Sequence, residues 1–235
     1  AGHIPDPLHA HLTPIYASST FVFDTTEQGM HRFSGKEEGY IYSRWGNPSF
    51  REAEERIAAL ETFGLTDAGG APLKARALLH SSGMAALTTL FMSHLKQGDK
   101  VITHPSLYGG TDELLQKILP SLGVETAFVD MHHPDEVEAL LKKDPSFRMM
   151  YLETPANPTL RCVDLELCLG LARSYGLVSA VDNTFASPYL QRPFRDGADY
   201  VFHSTTKFLN GHGTAVGGVL IGRDLARMKE RVTKV

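Results

Sequence analysis

Ala198-Asp199-Tyr200-Val201-Phe202-His203-Ser204-Thr205-Thr206-Lys207 reads as a short apolar strand that breaks into hydroxyls and ends on one lysine. Phe208-Leu209-Asn210-Gly211-His212-Gly213 follows it. A lysine closing a buried strand is costly if it stays charged and unpaired. Its presence makes sense if the amine is held by a cofactor aldehyde, with Ser204 and Thr206 as hydroxyl donors to that cofactor's phosphate. Upstream, Leu177-Val178-Ser179-Ala180-Val181 is a second apolar strand, and it ends in Asp182-Asn183-Thr184. An acid at one strand end and a lysine at another form the pair that a pyridoxal phosphate site requires. The lysine takes the aldehyde, and the carboxylate keeps the pyridine nitrogen protonated.

Working outward, strands and helices alternate. Short apolar runs predict strands over 77–80, 100–103, 125–129, 149–153, 177–181, 200–202 and 215–221. Helices are expected over 49–61, 84–94, 111–119, 134–142, 165–175 and 224–232. Ser49 is the expected N-cap of the first, with Glu52 completing a capping box. This order argues for an α/β fold with a mainly parallel sheet covered on both faces. Ligands in such sheets sit beyond the carboxyl ends of the strands. Ser82-Gly83, Tyr108, Asn157, Asp182 and the run from Ser204 to Lys207 all fall at such ends. The first forty or so residues look extended and irregular, broken by Pro5, Pro7, Pro14, Gly29, Gly35 and Gly39. An arm of that kind, over 1–48, is expected to cross to a neighbouring subunit, leaving 49–235 as the cofactor domain.

Composition narrows the class. The chain has 235 residues, enough for a sizeable core, with 42% hydrophobic and 21% charged residues, as in ordinary globular proteins. A net charge of -4 gives no reason to expect nucleic acid or an anionic membrane as partner. No apolar run approaches the roughly 20 residues of a membrane span. Ala1-Gly2-His3-Ile4-Pro5-Asp6-Pro7 lacks the basic and apolar regions of a secretory signal. Two cysteines, Cys162 and Cys168, are too few for a disulfide framework and fit a reducing cytoplasm. His132-His133 and His212 make no HExxH or CxxC pattern, so no metal is expected.

Several loops carry candidate chemistry, each with a plainer alternative. Ser81-Ser82-Gly83-Met84 follows a strand and opens a helix, which makes either an anion cup or an ordinary turn. It is neither a Walker loop nor a dinucleotide fingerprint, and this disfavours a nicotinamide-dependent oxidoreductase. Tyr108, before Gly109-Gly110, can stack on an aromatic cofactor and exchange protons, or simply be a half-buried loop tyrosine. Asn157, held between Pro155 and Pro158, can donate to a cofactor oxygen and a substrate carboxylate, or mark a plain turn. Asp182 can pair a pyridinium N–H, cap a helix or join a salt bridge, and Lys207 can hold a cofactor aldehyde or be a surface lysine after a strand. Tyr42 and Arg44 lie in Tyr40-Ile41-Tyr42-Ser43-Arg44-Trp45, outside the alternating region. Arg44 suits phosphate, but reaches the site only by folding back or from another subunit.

Together these runs resemble the Cys/Met-metabolism family of pyridoxal-phosphate enzymes, which includes cystathionine gamma-synthases, cystathionine lyases, homoserine-ester sulfhydrylases and methionine gamma-lyases. The resemblance extends from Thr13-Pro14-Ile15-Tyr16 to Gly217-Gly218. It implies a fold-type-I, aminotransferase-like domain with a mainly parallel seven-stranded sheet. It implies Lys207 as the cofactor-bearing lysine and Asp182 as partner of the pyridine nitrogen, with Gly83, Met84, Ser204 and Thr206 around the phosphate. Tyr108 would stack on the ring and assist proton transfer, Asn157 would touch ring oxygen and substrate, and Tyr42 and Arg44 would reach a neighbouring subunit's phosphate. The active unit would be a dimer, usually within a tetramer, acting on sulfur amino acids or homoserine esters by cystathionine gamma-synthase/lyase-like gamma-elimination or gamma-replacement, with methionine gamma-lyase or O-acyl-homoserine sulfhydrylase as the alternative. Methionine gamma-lyases typically carry cysteine where this chain has Gly110. Family members run to roughly 400 residues, the usual sum of two domains. A C-terminal substrate domain with a carboxylate-binding arginine is therefore expected beyond Val235. The competing expectation is a truncated relative that binds cofactor without catalysis.

Overall fold

The computed structural model describes residues 9–230 and Val232. Pro5, Pro7 and residue 231, which enter the expectations above, lie outside them. The chain divides into two compact units, Ala1–Ile57 and Ala58–Val235.

The first unit departs from the irregular arm expected. It contains α1, Thr26–Phe33. Thr25 caps this helix by accepting from the Gln28 amide at 3.0 Å, while Gln28 Oε1 accepts from the Asp24 amide at 2.8 Å. This is a variant of the reciprocal Thr-x-x-Gln box, and it is visible in the sequence. Gly29 sits inside the helix because the Phe23 ring lies 3.0 Å from where a Cβ would stand. The next helix, α2 (Pro48–Glu61), begins one residue before Ser49. Asn47 Oδ1 accepts the Ser49 amide at 2.9 Å, so the cap is Asn47 with proline at the first helical position. Ser49 Oγ instead accepts the Tyr16 amide at 2.9 Å.

In the second unit the elements run β1 (Arg76–His80), α3 (Gly83–His94), β2 (Lys100–Thr103), α4 (Gly109–Glu113), β3 (Glu125–Phe128), α5 (Pro134–Lys143) and β4 (Phe147–Glu153). Then follow α6 (Leu165–Ser174), β5 (Val178–Asp182), α7 (Ser187–Leu190), β6 (Tyr200–His203), β7 (Gly218–Gly222) and α8 (Leu225–Glu230). The seven strands form one sheet in the order β1-β7-β6-β5-β4-β2-β3. Pairings are parallel except that β7 runs against both β1 and β6. Six strands therefore share a direction, and the start of β7 joins their carboxyl ends at one edge. The centre is buried on both faces, which explains the near-continuous apolar runs of β4 and β7. Phe91, Tyr151, Tyr200 and Leu220 anchor the core.

The single helix expected over 111–119 is three pieces. After α4 the chain widens into a π turn over Leu114–Ile118 and tightens into a 3₁₀ turn over Leu119–Leu122. Pro120 has no N–H to continue an α-helix, and Gly123 closes the segment at φ 76°. Among the described residues no helix is long and apolar enough to cross a membrane.

Candidate active site

Asp182 is the last residue of β5, in register with Glu153 on β4 and Phe202 on β6. It is buried at 6% exposure. Oδ1 accepts the Thr184 amide at 2.9 Å, and Oδ2 accepts the Tyr151 hydroxyl at 3.4 Å. Burial pushes its carboxyl above the ordinary carboxylate value, against the pull of the Thr184 bond and of nearby His203. Among the described residues it has no ion-pair partner. A buried acid in that state calls for a cation.

The start of α3 follows β1, three strands away. Ser82 Oγ accepts the Ala85 amide at 3.0 Å, leaving the Gly83 and Met84 amides as helix-start donors without an intrahelical acceptor. A Cβ on Gly83 would stand 3.1 Å from Ser204 Cβ and 3.2 Å from its Oγ. The missing side chain thus lets the Ser204 hydroxyl reach the helix start. Ser204 is itself fixed by its amide, which donates to Thr184 Oγ1 at 2.9 Å. These contacts put the Ser204 hydroxyl beside a helix start whose first amides have no intrahelical acceptor, an arrangement suited to a phosphate.

Thr206 differs from the expectation. Its hydroxyl donates to the Gly217 carbonyl at 3.2 Å and accepts from the Gly217 amide at 3.1 Å. Having one proton, it can donate to a phosphate only by releasing that carbonyl. Lys207 also departs from the buried strand end read from the sequence. β6 stops at His203, and Lys207 follows in an exposed turn, its amide bonded to the Ser204 carbonyl at 3.2 Å. The cost of burying an unpaired charge therefore does not apply to it.

Tyr108 precedes α4 and is 47% exposed. A Cβ on Gly110 would fall 2.7 Å from Tyr108 Cε1 and 3.1 Å from Met84 Sδ, so Met84 and the tyrosine ring are neighbours over that glycine. Asn157 is half-buried after β4. Between the two lies a residue that the sequence reading passed over, Glu153. It ends β4 at 4% exposure. Oε2 accepts the Tyr108 amide and Oε1 the Asn157 amide, both at 2.8 Å. Burial and the neighbouring Asp182 charge raise its carboxyl to about 7, against the two amides. Its own amide donates to His104 Nε2 at 3.0 Å. Burial lowers that imidazole to about 4, which keeps it neutral and able to accept. The visible signal was an acid at a strand end, the same signal that singled out Asp182.

The sheet edge thus brings together Gly83, Met84, Tyr108, Asn157, Asp182 and Ser204, with Thr206 and Lys207 just beyond. Tyr42 and Arg44 belong to the first unit. There the Arg44 guanidinium lies 5.4 Å from the Tyr42 ring centre and 5.5 Å from that of Trp45. Pyridoxal phosphate fits the donor set on two counts: a buried acid without a counter-charge, and a phosphate cup whose glycine leaves room for a serine hydroxyl.

A family model described as Cys/Met metabolism PLP-dependent enzyme matches residues 1–235. The chain is 44% identical over 213 residues to the L-methionine gamma-lyase of Porphyromonas gingivalis, covering 90% of this chain and 50% of that protein. The metY structure from Campylobacter jejuni, which carries N'-pyridoxyl-lysine-5'-monophosphate, matches with a TM-score of 0.86 and 30% identity, over 99% of this chain and 55% of that one. Cystathionine gamma-lyase from Lactobacillus plantarum, complexed with L-serine, matches with a TM-score of 0.85 and 34% identity, over 99% and 55%. The chain spans about half the length of these relatives.

Proposed function

This chain belongs to the Cys/Met metabolism PLP-dependent enzymes, and from that membership we propose that it carries the cofactor half of an enzyme for gamma-elimination or gamma-replacement on sulfur amino acids or homoserine esters. The observation that carries the reading is Asp182, a buried carboxyl without a cation among the described residues, at the edge where Gly83 and Ser204 meet in an arrangement suited to an anion. The chemistry that pyridoxal phosphate supplies when bound is a sink for the electron pair left as a bond at the substrate's Cα breaks.

The chain's residues divide the remaining work. Asp182 holds a proton on the ring nitrogen. The Gly83 and Met84 amides and the Ser204 hydroxyl bind phosphate, with Thr206 joining by giving up Gly217. Lys207 Nζ would hold the cofactor and, when free, would move protons at the substrate's Cα and Cβ. Tyr108 covers the ring and hands a proton to the leaving γ-group. Asn157 donates its amide to the ring oxygen and the substrate carboxylate. Tyr42 and Arg44, preorganised by stacking, serve the phosphate of a neighbouring copy, so the working form is a homo-oligomer, a dimer of dimers. The substrate-carboxylate arginine belongs to a C-terminal domain outside this sequence. A cytoplasmic setting suits the two free cysteines, Cys162 and Cys168.

A second reading, methionine gamma-lyase proper, is favoured by the name of the Porphyromonas gingivalis relative. Against it stands Gly110, where any β-carbon would press on the Tyr108 ring. Products formed by the full-length protein separate the two: α-keto acid from methionine in clear preference to cystathionine and homoserine esters supports the second reading, and turnover of cystathionine or homoserine esters in preference to methionine supports the first. Lys207→Ala tests the reading they share. Borohydride should fix pyridoxal phosphate to the wild type and leave the variant's mass unchanged; a reduced adduct on the variant refutes the assignment.

A further inference from the structure

We propose that Glu153 is a positioning residue whose carboxylate locks the Tyr108 and Asn157 loops into one clamp over the sheet edge. The proposal rests on the reading above, in which those two side chains face cofactor and substrate.

The geometry is that of a bracket. One oxygen of Glu153 serves the loop after β2 and the other serves the loop after β4, each through a backbone amide at 2.8 Å. A bond to the amide of the residue itself fixes where its Cα–Cβ bond points, which a bond further along the loop would not. When Glu153 is ionised, both bonds are of the stronger, charge-assisted kind. The loop after β2 is also held to the end of β4 by the Glu153 amide on His104 Nε2 at 3.0 Å, and the two loops are joined once more by the Ser106 and Thr159 hydroxyls at 2.5 Å. Glu153 has no cation partner among the described residues. Its titrating neighbours are Asp182 on β5, Tyr151 on its own strand and His104 after β2. Asp182 disfavours a second negative charge beside it. An acid kept there, on two amides alone, suits a role that uses both of its oxygens as acceptors at once.

Glutamine makes the decisive substitution. It keeps the shape, but one terminal atom becomes a donor, so only one amide can be served. Hydrogen exchange on the cofactor-free full-length protein reads the bracket directly. In Glu153→Gln, either the Tyr108 or the Asn157 amide should exchange about ten-fold faster or more, while strand amides such as Met150 and Val181 keep their wild-type rates. In the loaded enzyme, kcat should fall about ten-fold with KM changed far less, and the visible absorbance of the bound cofactor should shift. Glu153→Ala should free both amides; if it does not fold, the glutamine variant alone decides. Unchanged exchange at both amides overturns the bracket. Faster exchange with unaltered kcat and absorbance overturns the positioning role. Failure of the functional reading is distinguishable, because a retained adduct in Lys207→Ala leaves the exchange result standing.

Discussion

Glu153 and Asp182 stand in register on neighbouring strands, and burial raises both carboxyls above their ordinary values. A carboxyl whose folded value exceeds its unfolded one stabilises the fold fully below the unfolded value, and that contribution is lost as pH rises through the folded value. For Glu153 the window runs from 4.5 to about 7. His104, lowered from 6.5 to about 4, titrates with the opposite sign over much of the same range. A bare pH profile of stability would therefore mix the two. The difference between wild type and Glu153→Gln largely cancels His104 and reports the Glu153–Asp182 pair: relative to the variant, the cofactor-free wild type should lose roughly 2–3 kcal/mol between pH 5 and 7.5. Urea denaturation at both pH values measures it, and a flat difference would contradict the raised value. Asp182 was legible as a candidate site residue because an acid closing an apolar run cannot be satisfied by its own strand. Glu153 sends the same signal, but its partners are backbone amides brought by two loops, and no sequence displays those.

At the scale of elements, β7 does more for the site than its apolar run suggested. It is the one reversed strand, so its first residues arrive at the edge where the others finish. A Cβ on Gly218 would stand 2.2 Å from the Ser82 carbonyl oxygen and 2.8 Å from Gly83 Cα, and backbone atoms cannot yield as a side-chain tip can. Gly218→Ala should therefore push the start of α3 away from Ser204. The expected cost is about 1–3 kcal/mol of stability, typical of an overpacked core. Pyridoxal phosphate affinity should fall roughly ten-fold with it, the scale of one lost charge-assisted hydrogen bond. Fluorescence titration with the cofactor checks this, and wild-type affinity in a folded variant would show that β7 does not shape the cup. Strand positions were readable because fully buried strands are nearly continuous apolar runs. The direction of β7 was not, since a run of Gly218-Val219-Leu220-Ile221 pairs equally well either way. The broken helix after Tyr108 was half readable, with Pro120 in plain view and the π turn before it unmarked.

Across the whole molecule, the alternation of strands and helices carried the fold class, while the polar links between distant segments left no trace in the sequence. The plainest case is Glu61, at the end of α2, bonded to His203 Nε2 at 2.5 Å across 142 positions, with side chains 0% and 1% exposed. The same oxygen, Oε1, accepts Asn183 Nδ2 at 2.9 Å. Asn183 in turn reaches the Gln191 carbonyl at 2.8 Å, and Gln191 Nε2 reaches the Thr154 carbonyl at 2.9 Å. One buried side chain thus ties the end of a helix to the end of β6 and, through Asn183 and Gln191, to the segments that follow β5 and β4. Glu61 Oε2 and His203 Nδ1 make no further bond among the described residues, so the pair has little to fall back on if one partner is lost. Breaking a buried pair from one side leaves an uncompensated polar group, whereas replacing both sides with apolar groups is often close to neutral. Glu61→Leu should accordingly cost about 3–5 kcal/mol, and the double variant Glu61→Leu with His203→Leu should recover much of that loss. A double-mutant cycle in urea gives the coupling. A single-variant cost below about 1 kcal/mol, within the range of an exposed pair, would mean that the link is ornamental to the fold and that apolar packing alone holds these loops in place.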